Sequence, residues 1–407
     1  MSKLAISGGT PLFNETPYAW PYYGKEEAEA LKKVLDAGEW GTLGKEAMAF
    51  AENFSNYLGC RYGISVTNGT VSLEIILRSL GIGYGDEVIV PSYTFYSTIA
   101  SVAMTGAYPV LADTEAGGFN IDPKDVQSKV TEKTRAVIVT HLGGTICNMD
   151  ALSQLCREKG LYLIEDAAHA HGSVWKGIKA GALADASSFS FQSSKNLTGG
   201  EGGFIATNDE KIFKEAWHYH HSGRGFDGAG EFAGKTYLGT NARMSEWPAA
   251  ILNVQLTRLD AQIANRMENA KFLKERLSAF PFLRFPKEDE RQTINSLHLL
   301  PLFYDKTKFY GISKKTLANA FCAEGIGLST GYNPIFEMSA FHTPNFEKST
   351  GRTFAYSGLS NTKKLCEETG LWIKGSQLLG SREQVNRIVT VFEKLAANHE
   401  ELENSEK

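Results

Sequence analysis

The chain has 407 residues, 42% hydrophobic and 22% charged, with a formal net charge of −4. It is long enough to bury a large core without staples and too hydrophobic for a disordered chain. Its 40 glycines show no period of three, which excludes collagen, and its charges form no like-signed run, so it carries no footprint for nucleic acid or an anionic membrane.

Five cysteines, Cys60, Cys147, Cys156, Cys322 and Cys366, are an odd number with no CxxC pair. They fit a reducing compartment and not a disulfide framework or a zinc knuckle. The opening MSKLAISGGTPLF has no secretory apolar core, and no apolar stretch reaches the roughly 18 residues of a membrane span. These features together predict a cytoplasmic protein. The sequons at Asn53, Asn68 and Asn196 then read as chance or as site residues, not glycan acceptors.

From Arg61 to about Asn208, short β-branched runs alternate with amphipathic stretches. The runs 64–67, 87–90, 108–112, 136–140 and 161–165 are almost continuously apolar, the pattern of strands covered on both faces. Between them, 70–80, 94–105, 122–130 and 149–159 predict helices. The alternation predicts an α/β fold on a mainly parallel sheet sandwiched by helices. Short strands are predicted at 187–191 and 203–207. In such sheets ligands sit beyond the carboxyl ends of strands, so functional residues are expected just after these runs.

The glycine-rich segment 223–240 predicts a long surface loop, expected to cover a site shared between subunits. After it, Ser245 is a candidate N-cap and Pro248 suits a first turn. Trp247, Ile251, Val254, Leu259, Ile263 and Leu273 recur at near-helical spacing and carry one long helix to Leu277. A strand at 296–304, a helix at 313–325 and further mixed elements follow. The chain thus divides into a large domain, 26–265, and a smaller α+β domain, 266–407 with 1–25. The acidic stretch 399–407 reads as a frayed, solvated helix end.

The glycines that follow strands carry the chemistry. ISVTNGT runs from a strand through Asn68, Gly69 and Thr70 into a helix, and such a turn offers backbone N–H groups and a positive helix end to an anion. Taken singly, the signal is weak and the turn reads as a plain tight turn. GIGYG (81–85) mimics a dinucleotide fingerprint but follows a helix and precedes a strand, so it reads as a helix C-cap and turn. No GxxxxGK[ST] segment is present. LYLIEDAAHAHG sets Asp166 at the end of a buried strand with His169 three residues on; singly, these read as an N-cap and a packed histidine. SFSFQSSKNLTGGEGGF places Lys195 in a polar turn flanked by Gly199, Gly200, Gly202 and Gly203, with Ser190 on the adjacent strand. Phe95 follows another strand in PSYTF.

One ligand uses all of these together: pyridoxal 5'-phosphate. Its phosphate needs the cradle and its aldehyde a lysine for a Schiff base. Its pyridine nitrogen needs a carboxylate, and its flat ring an aromatic platform.

These segments resemble the sugar aminotransferases of the DegT/DnrJ/StrS group, fold-type-I pyridoxal-phosphate enzymes. The resemblance is densest in TNGTVSLEIILRSLGIGYGDEVIVPSYTF, GAYPVLADTEAGGFNIDP, IEDAAHAHGSVWKG and FSFQSSKNLTGGEGGFIATND, and extends into GTNARMSE. It implies that Lys195 is the Schiff-base lysine and that Asp166 pairs with the pyridine nitrogen. It implies that His169 faces the ring hydroxyl, where relatives often carry glutamine. Gly69, Thr70 and Ser190 match phosphate ligands, and Phe95 the stacking aromatic. Asn241 matches an asparagine that reaches the phosphate of the neighbouring subunit, which implies a homodimer with shared active sites. His221, Arg243 and Tyr332 lie in segments that resemble substrate-facing loops; Arg243 reads equally as a helix-end arginine paired to a carboxylate.

The implied reaction moves an amino group from glutamate or glutamine to a keto-cyclitol or keto-sugar, in amino-sugar, aminocyclitol or related secondary-metabolite (antibiotic) biosynthesis. WPYYGKEEAEALKKVLDAGEW and DAAHAHG look most like the scyllo-inosose aminotransferase and 3-amino-5-hydroxybenzoate synthase branch. Three alternatives stay open: a dehydratase of that synthase's type, a nucleotide keto-sugar aminotransferase, and a cofactor-binding regulator, which no DNA-reading motif supports. A GxSxG elbow is absent, and His218, His220 and His221 lack HExxH-type spacing, so neither a hydrolase nor a metal is expected.

Overall fold

The computed structural model describes residues 3–14, 18–226 and 238–406. The segment 227–237, most of the glycine-rich loop, lies outside the described residues. Two helices open the chain, α1 (Lys25–Ala37) and α2 (Lys45–Leu58). Then come β1 (Tyr62–Val66), α3 (Gly69–Ser79), β2 (Glu87–Pro91), α4 (Tyr96–Met104), β3 (Tyr108–Ala112), α5 (Pro123–Lys129), β4 (Thr134–Thr140), α6 (Met149–Lys159) and β5 (Tyr162–Asp166). The short pair β6 (Val174–Trp175) and β7 (Ile178–Lys179) precedes β8 (Ala186–Ser190), β9 (Gly203–Thr207) and α7 (Glu210–His220).

Strands β1–β5, β8 and β9 form one seven-stranded sheet in the order β1-β9-β8-β5-β4-β2-β3. From β8 to β3 all neighbours are parallel, and β9 runs antiparallel to both β1 and β8. This is the mainly parallel α/β sheet expected from the alternation, with the predicted strands and helices in place. The continuous apolar runs are explained by burial on both faces. Val88, Val90, Ala136, Ile138 and Ile164 face one cluster, while Ile89, Val137, Val139 and Leu163 face the other. Local signals end the helices as read: α6 begins on Asn148, whose side chain accepts from the Ala151 N–H, and stops at Gly160. The GIGYG segment is a turn, with its Gly81 N–H on the Arg78 carbonyl.

The second half differs from expectation at two places. The long helix is two, α8 (Glu246–Leu256) and α9 (Leu259–Leu277). The Thr257 hydroxyl bonds back to the Val254 carbonyl at 2.7 Å, and Arg258 is drawn out to Glu26 and Glu27 of α1, which breaks the run. Ser245 holds the N-cap position without a side-chain cap bond, while Glu246 caps α2 through the N–H groups of Glu46 and Ala47.

Then follow β10 (Leu283–Arg284), β11 (Gln292–Ile294), β12 (Leu299–Tyr304), α10 (Lys314–Ala323), α11 (Pro344–Thr350), α12 (Ser360–Lys364), β13 (Gly370–Lys374), α13 (Arg382–Ala397) and α14 (His399–Glu406). Strands β10, β12 and β13 form a small antiparallel sheet, and β11 pairs with β6. The acidic C-terminal stretch is docked instead of frayed. Leu402 is fully buried, Glu401 accepts from the Leu4 N–H, and Glu406 accepts from the Ser313 N–H.

Candidate active site

Asp166 closes β5, and its carboxylate is buried. Thr98 of α4 donates to Oδ2 at 2.7 Å, and the Ala168 N–H reaches Oδ1 at 3.3 Å. Thr98 is steadied by Thr94, which also bonds Thr140 at the end of β4. Burial pushes the Asp166 carboxyl up, against the Thr98 bond and the charge of Lys195. Among the described residues Asp166 has no ion pair within 4.0 Å.

Lys195 lies in the loop after β8, held by its N–H on the Gln192 carbonyl. Burial pushes its amine down to about 8, opposed by the charge of Asp166. The two groups therefore share one buried space. His169 joins them. Its Nδ1 accepts from the Gly143 N–H at 3.3 Å, which assigns the ring proton to Nε2. Burial first, then Lys195, holds its pKa well below the ordinary value. His171 donates through Nε2 to the Ser190 carbonyl at 3.0 Å. Burial and Lys195 hold it neutral too, at about 3.

The turn after β1 is built as a cradle. Asn68 caps α3 by accepting from the Val71 N–H, and its carbonyl accepts from Ser72. The N–H groups of Gly69 and Thr70 are left over by helix geometry. The Thr70 hydroxyl bonds that of Ser97, in the first turn of α4, at 2.6 Å. Two helix starts and two hydroxyls thus converge where an anion would sit. Neither Gly69 nor Gly203 tolerates a side chain: a Cβ on Gly69 would lie 2.9 Å from Ser190 Cβ, and one on Gly203 2.3 Å from the Asn68 carbonyl carbon.

The remaining expected residues separate into two groups. Tyr332 is brought in: its phenol is pushed up by burial and then by Asp166, and its ring packs on Tyr93 and Trp372. Phe95 stands at the N-cap of α4 and is 57% exposed, an aromatic face left open. By contrast, Asn241 and Arg243 lie on one segment, Arg243 bridged to Val66 at the end of β1 and Asn241 to His221 at the end of α7. Arg243 bonds His221 Nδ1 at 3.1 Å and, among the described residues, no carboxylate. Asn241 is exposed. Among the described residues no hydrogen bond or ion pair links these three to Lys195 or Asp166. No group of three or more His, Cys, Asp or Glu side chains among the described residues is arranged to hold a metal ion.

Several site residues went unread in the sequence. Thr98, Ser97, Gly143 and His298 are single residues in unremarkable stretches. His298 precedes β12, far along the chain, yet its ring lies 4.2 Å from that of His169. Trp20 of the N-terminal segment donates to the Ser193 carbonyl at 2.9 Å, two residues from Lys195.

This arrangement fits pyridoxal phosphate. A buried carboxyl with no ion pair suits a protonated ring nitrogen, a lysine whose amine is lowered toward the neutral range suits an aldehyde, and the close-packed cradle suits a phosphate. The chain matches the model of the DegT/DnrJ/EryC1/StrS aminotransferase family over residues 21–392 and belongs to that family. It is therefore a pyridoxal-phosphate-dependent aminotransferase in class and fold. It is 32% identical, over 97% of both chains, to the L-glutamine:2-deoxy-scyllo-inosose aminotransferase of Streptomyces lividus. It is 34% identical to the 3-amino-5-hydroxybenzoate synthase of Amycolatopsis mediterranei, over 79% of this chain and 83% of that one. A crystal structure of a 3-amino-5-hydroxybenzoic acid synthase superposes with a TM-score of 0.84 at 30% identity, covering 94% of this chain and 100% of that one. Among the described residues no helix is long and apolar enough to cross a membrane.

Proposed function

We propose that the chain transfers an amino group from glutamine or glutamate to a keto-cyclitol or keto-sugar, as a homodimer with shared sites, in aminocyclitol, amino-sugar or related secondary-metabolite biosynthesis. The observation that carries the reaction type is the half-buried Lys195, its amine lowered to about 8, sharing a space with the buried Asp166 carboxyl, which has no ion pair among the described residues. The inosose specificity of the Streptomyces lividus relative supports the acceptor class.

When bound, pyridoxal phosphate supplies an aldehyde to carry the amino group and a ring that takes up electrons from the donor's α-carbon. The Gly69 and Thr70 N–H groups, with the Thr70, Ser97 and Ser190 hydroxyls, hold the phosphate. Asp166, fixed by Thr98 and Ala168, keeps a proton on the ring nitrogen. His169 presents Nε2–H to the ring oxygen. Phe95 covers the ring face. Lys195 anchors the aldehyde; once released, its amine removes the proton from the donor's α-carbon and returns one at the acceptor's carbon in the reverse half. Asn241, His221 and Arg243 serve the partner's site, and Tyr332 lines its own. Within each subunit, 26–265 holds the cofactor. Residues 266–407 with 1–25 form the small domain; one apolar cluster joins Leu4 to residues between Ala270 and Leu402, while Ile335, Phe346 and Leu359 pack into the cluster under the large sheet.

A second reading, favoured by the likeness to 3-amino-5-hydroxybenzoate synthase, is a dehydratase using the same lysine on the substrate itself. A donor–acceptor screen of the loaded protein, with new amines read by mass spectrometry, separates the two. Amination that requires glutamine or glutamate is the expected result. Turnover of an amino-cyclohexene acid with no amino donor replaces the first reading by the second.

A further inference from the structure

His298 sits beside the reactive lysine without any role so far. Its backbone is fixed from three sides. Asn196, next to Lys195, donates to the Ser296 carbonyl at 2.7 Å. The Ser296 hydroxyl donates to the His169 carbonyl at 3.0 Å, and the Ser296 N–H bonds Ser173. The Gly375 N–H closes on the His298 carbonyl at 2.8 Å. Between these anchors Leu297, a buried non-glycine residue, is forced to φ +51°. Strain of this kind persists only where the surroundings over-determine it. What it achieves here is the placement of the His298 ring against His169.

The ring itself is unspent. Among the described residues neither nitrogen of His298 has a hydrogen-bond partner, although the residue is only 8% exposed. The charged groups around it are Lys195 and Arg266 of α9, with the His171 ring beside them; together with burial they hold the imidazole neutral. A neutral imidazole has one donor and one acceptor. It is a poor mate for a carboxylate and a good one for a hydroxyl, which also gives and takes one hydrogen bond.

We propose that His298 binds a hydroxyl of the amino acceptor, and so selects polyhydroxylated ring ketones. This rests on the acceptor class proposed above and adds the residue that reads it. The small domain thereby contributes a specificity group to a site whose cofactor contacts come from the large one.

The test uses the cofactor-loaded protein and myo-inositol, a cyclitol with no carbonyl, titrated by calorimetry. His298→Phe keeps a flat ring against His169 and removes both hydrogen bonds; His298→Gln keeps a donor and an acceptor. The expected result is at least a tenfold weaker inositol affinity in His298→Phe, largely recovered in His298→Gln. In single-turnover spectra the loss falls on the acceptor half-reaction, with the glutamine half changed far less. Circular dichroism confirms that each variant is folded. Unchanged inositol affinity in His298→Phe overturns the proposal, as does an equal loss in both half-reactions, which would tie His298 to Lys195 instead. Wild-type protein that reacts with glutamine but binds no inositol refutes the acceptor class, and with it this role. Wild-type protein that binds inositol but never reacts with glutamine or glutamate refutes the donor alone, and the His298 comparison still decides.

Discussion

Lys195 is ordinary in the sequence and becomes special through its surroundings. Its amine is buried and stands against Asp166, and burial wins, leaving it at about 8 where a free lysine has 10.5. The free base is the nucleophile, so reactivity rises as pH climbs through the amine's own pKa. In cofactor-free protein, acylation of Lys195 should therefore be half-maximal near pH 8, while surface lysines keep accelerating well beyond it. Mass mapping of the Lys195 peptide after timed acylation across pH checks this; a profile that tracks the surface lysines refutes it. The motif residues Asp166, Lys195, Gly69 and Thr70 were legible from sequence because each sits at a strand end or in a glycine turn. Thr98 and His298 were not, because a threonine in a helix and a histidine before a strand carry no local signature.

At the scale of elements, the phosphate turn depends on how closely β9 crosses the start of α3. A side chain at Gly203 would meet the Asn68 carbonyl oxygen at 2.3 Å and the Gly69 nitrogen at 2.8 Å. Gly203→Ala should cost about 1–3 kcal/mol of stability, the range for overpacking. It should also displace the cap that Asn68 places on α3, lowering affinity for pyridoxal phosphate at least tenfold. Affinity for phosphate-free pyridoxal should fall less, because Lys195 stands nearer the β8 end of the loop that leads to Gly203, its N–H held on the Gln192 carbonyl. Titration with the two ligands, followed by visible absorbance, distinguishes a damaged cradle from a generally destabilised fold. The elements themselves followed local pattern closely from β1 to β9. The break between α8 and α9 did not: the Thr257 and Arg258 N–H groups bond carbonyls three residues back, and the Arg258 side chain is held by the sequence-remote Glu26 and Glu27. The docked α14 escaped for the same reason, since a polar stretch gives no hint that Leu402 finds a buried place.

For the whole molecule, Asn241, His221 and Arg243 form a cluster that, among the described residues, makes no bond to the chain's own Lys195. Shared sites make a specific demand. Lys195→Ala and Asn241→Ala are each expected to be inactive or nearly so. Mixed, unfolded and refolded together, they should form hybrids in which one site carries both defects and the other none. Activity should recover to about a quarter of wild type, the share of intact sites in a random two-fold dimer. Recovery is measured as amine formed per subunit; no recovery from correctly sized dimers would place Asn241 in its own subunit's site.

The sequence by itself determined the class of fold and the cofactor, and it named candidate residues at strand ends. Those follow from local physics: burial on both faces writes continuous apolar runs, and tight turns near a phosphate write glycine. The tertiary structure alone decided which of those residues share a space and what charge they carry there. It brought Tyr332, His298 and Trp20 from distant parts of the chain to Lys195, and it set Asn241 and Arg243 apart from it. Desolvation and the field of neighbouring groups set the protonation of Lys195, Asp166 and the histidines, and neither exists until the chain has closed around them.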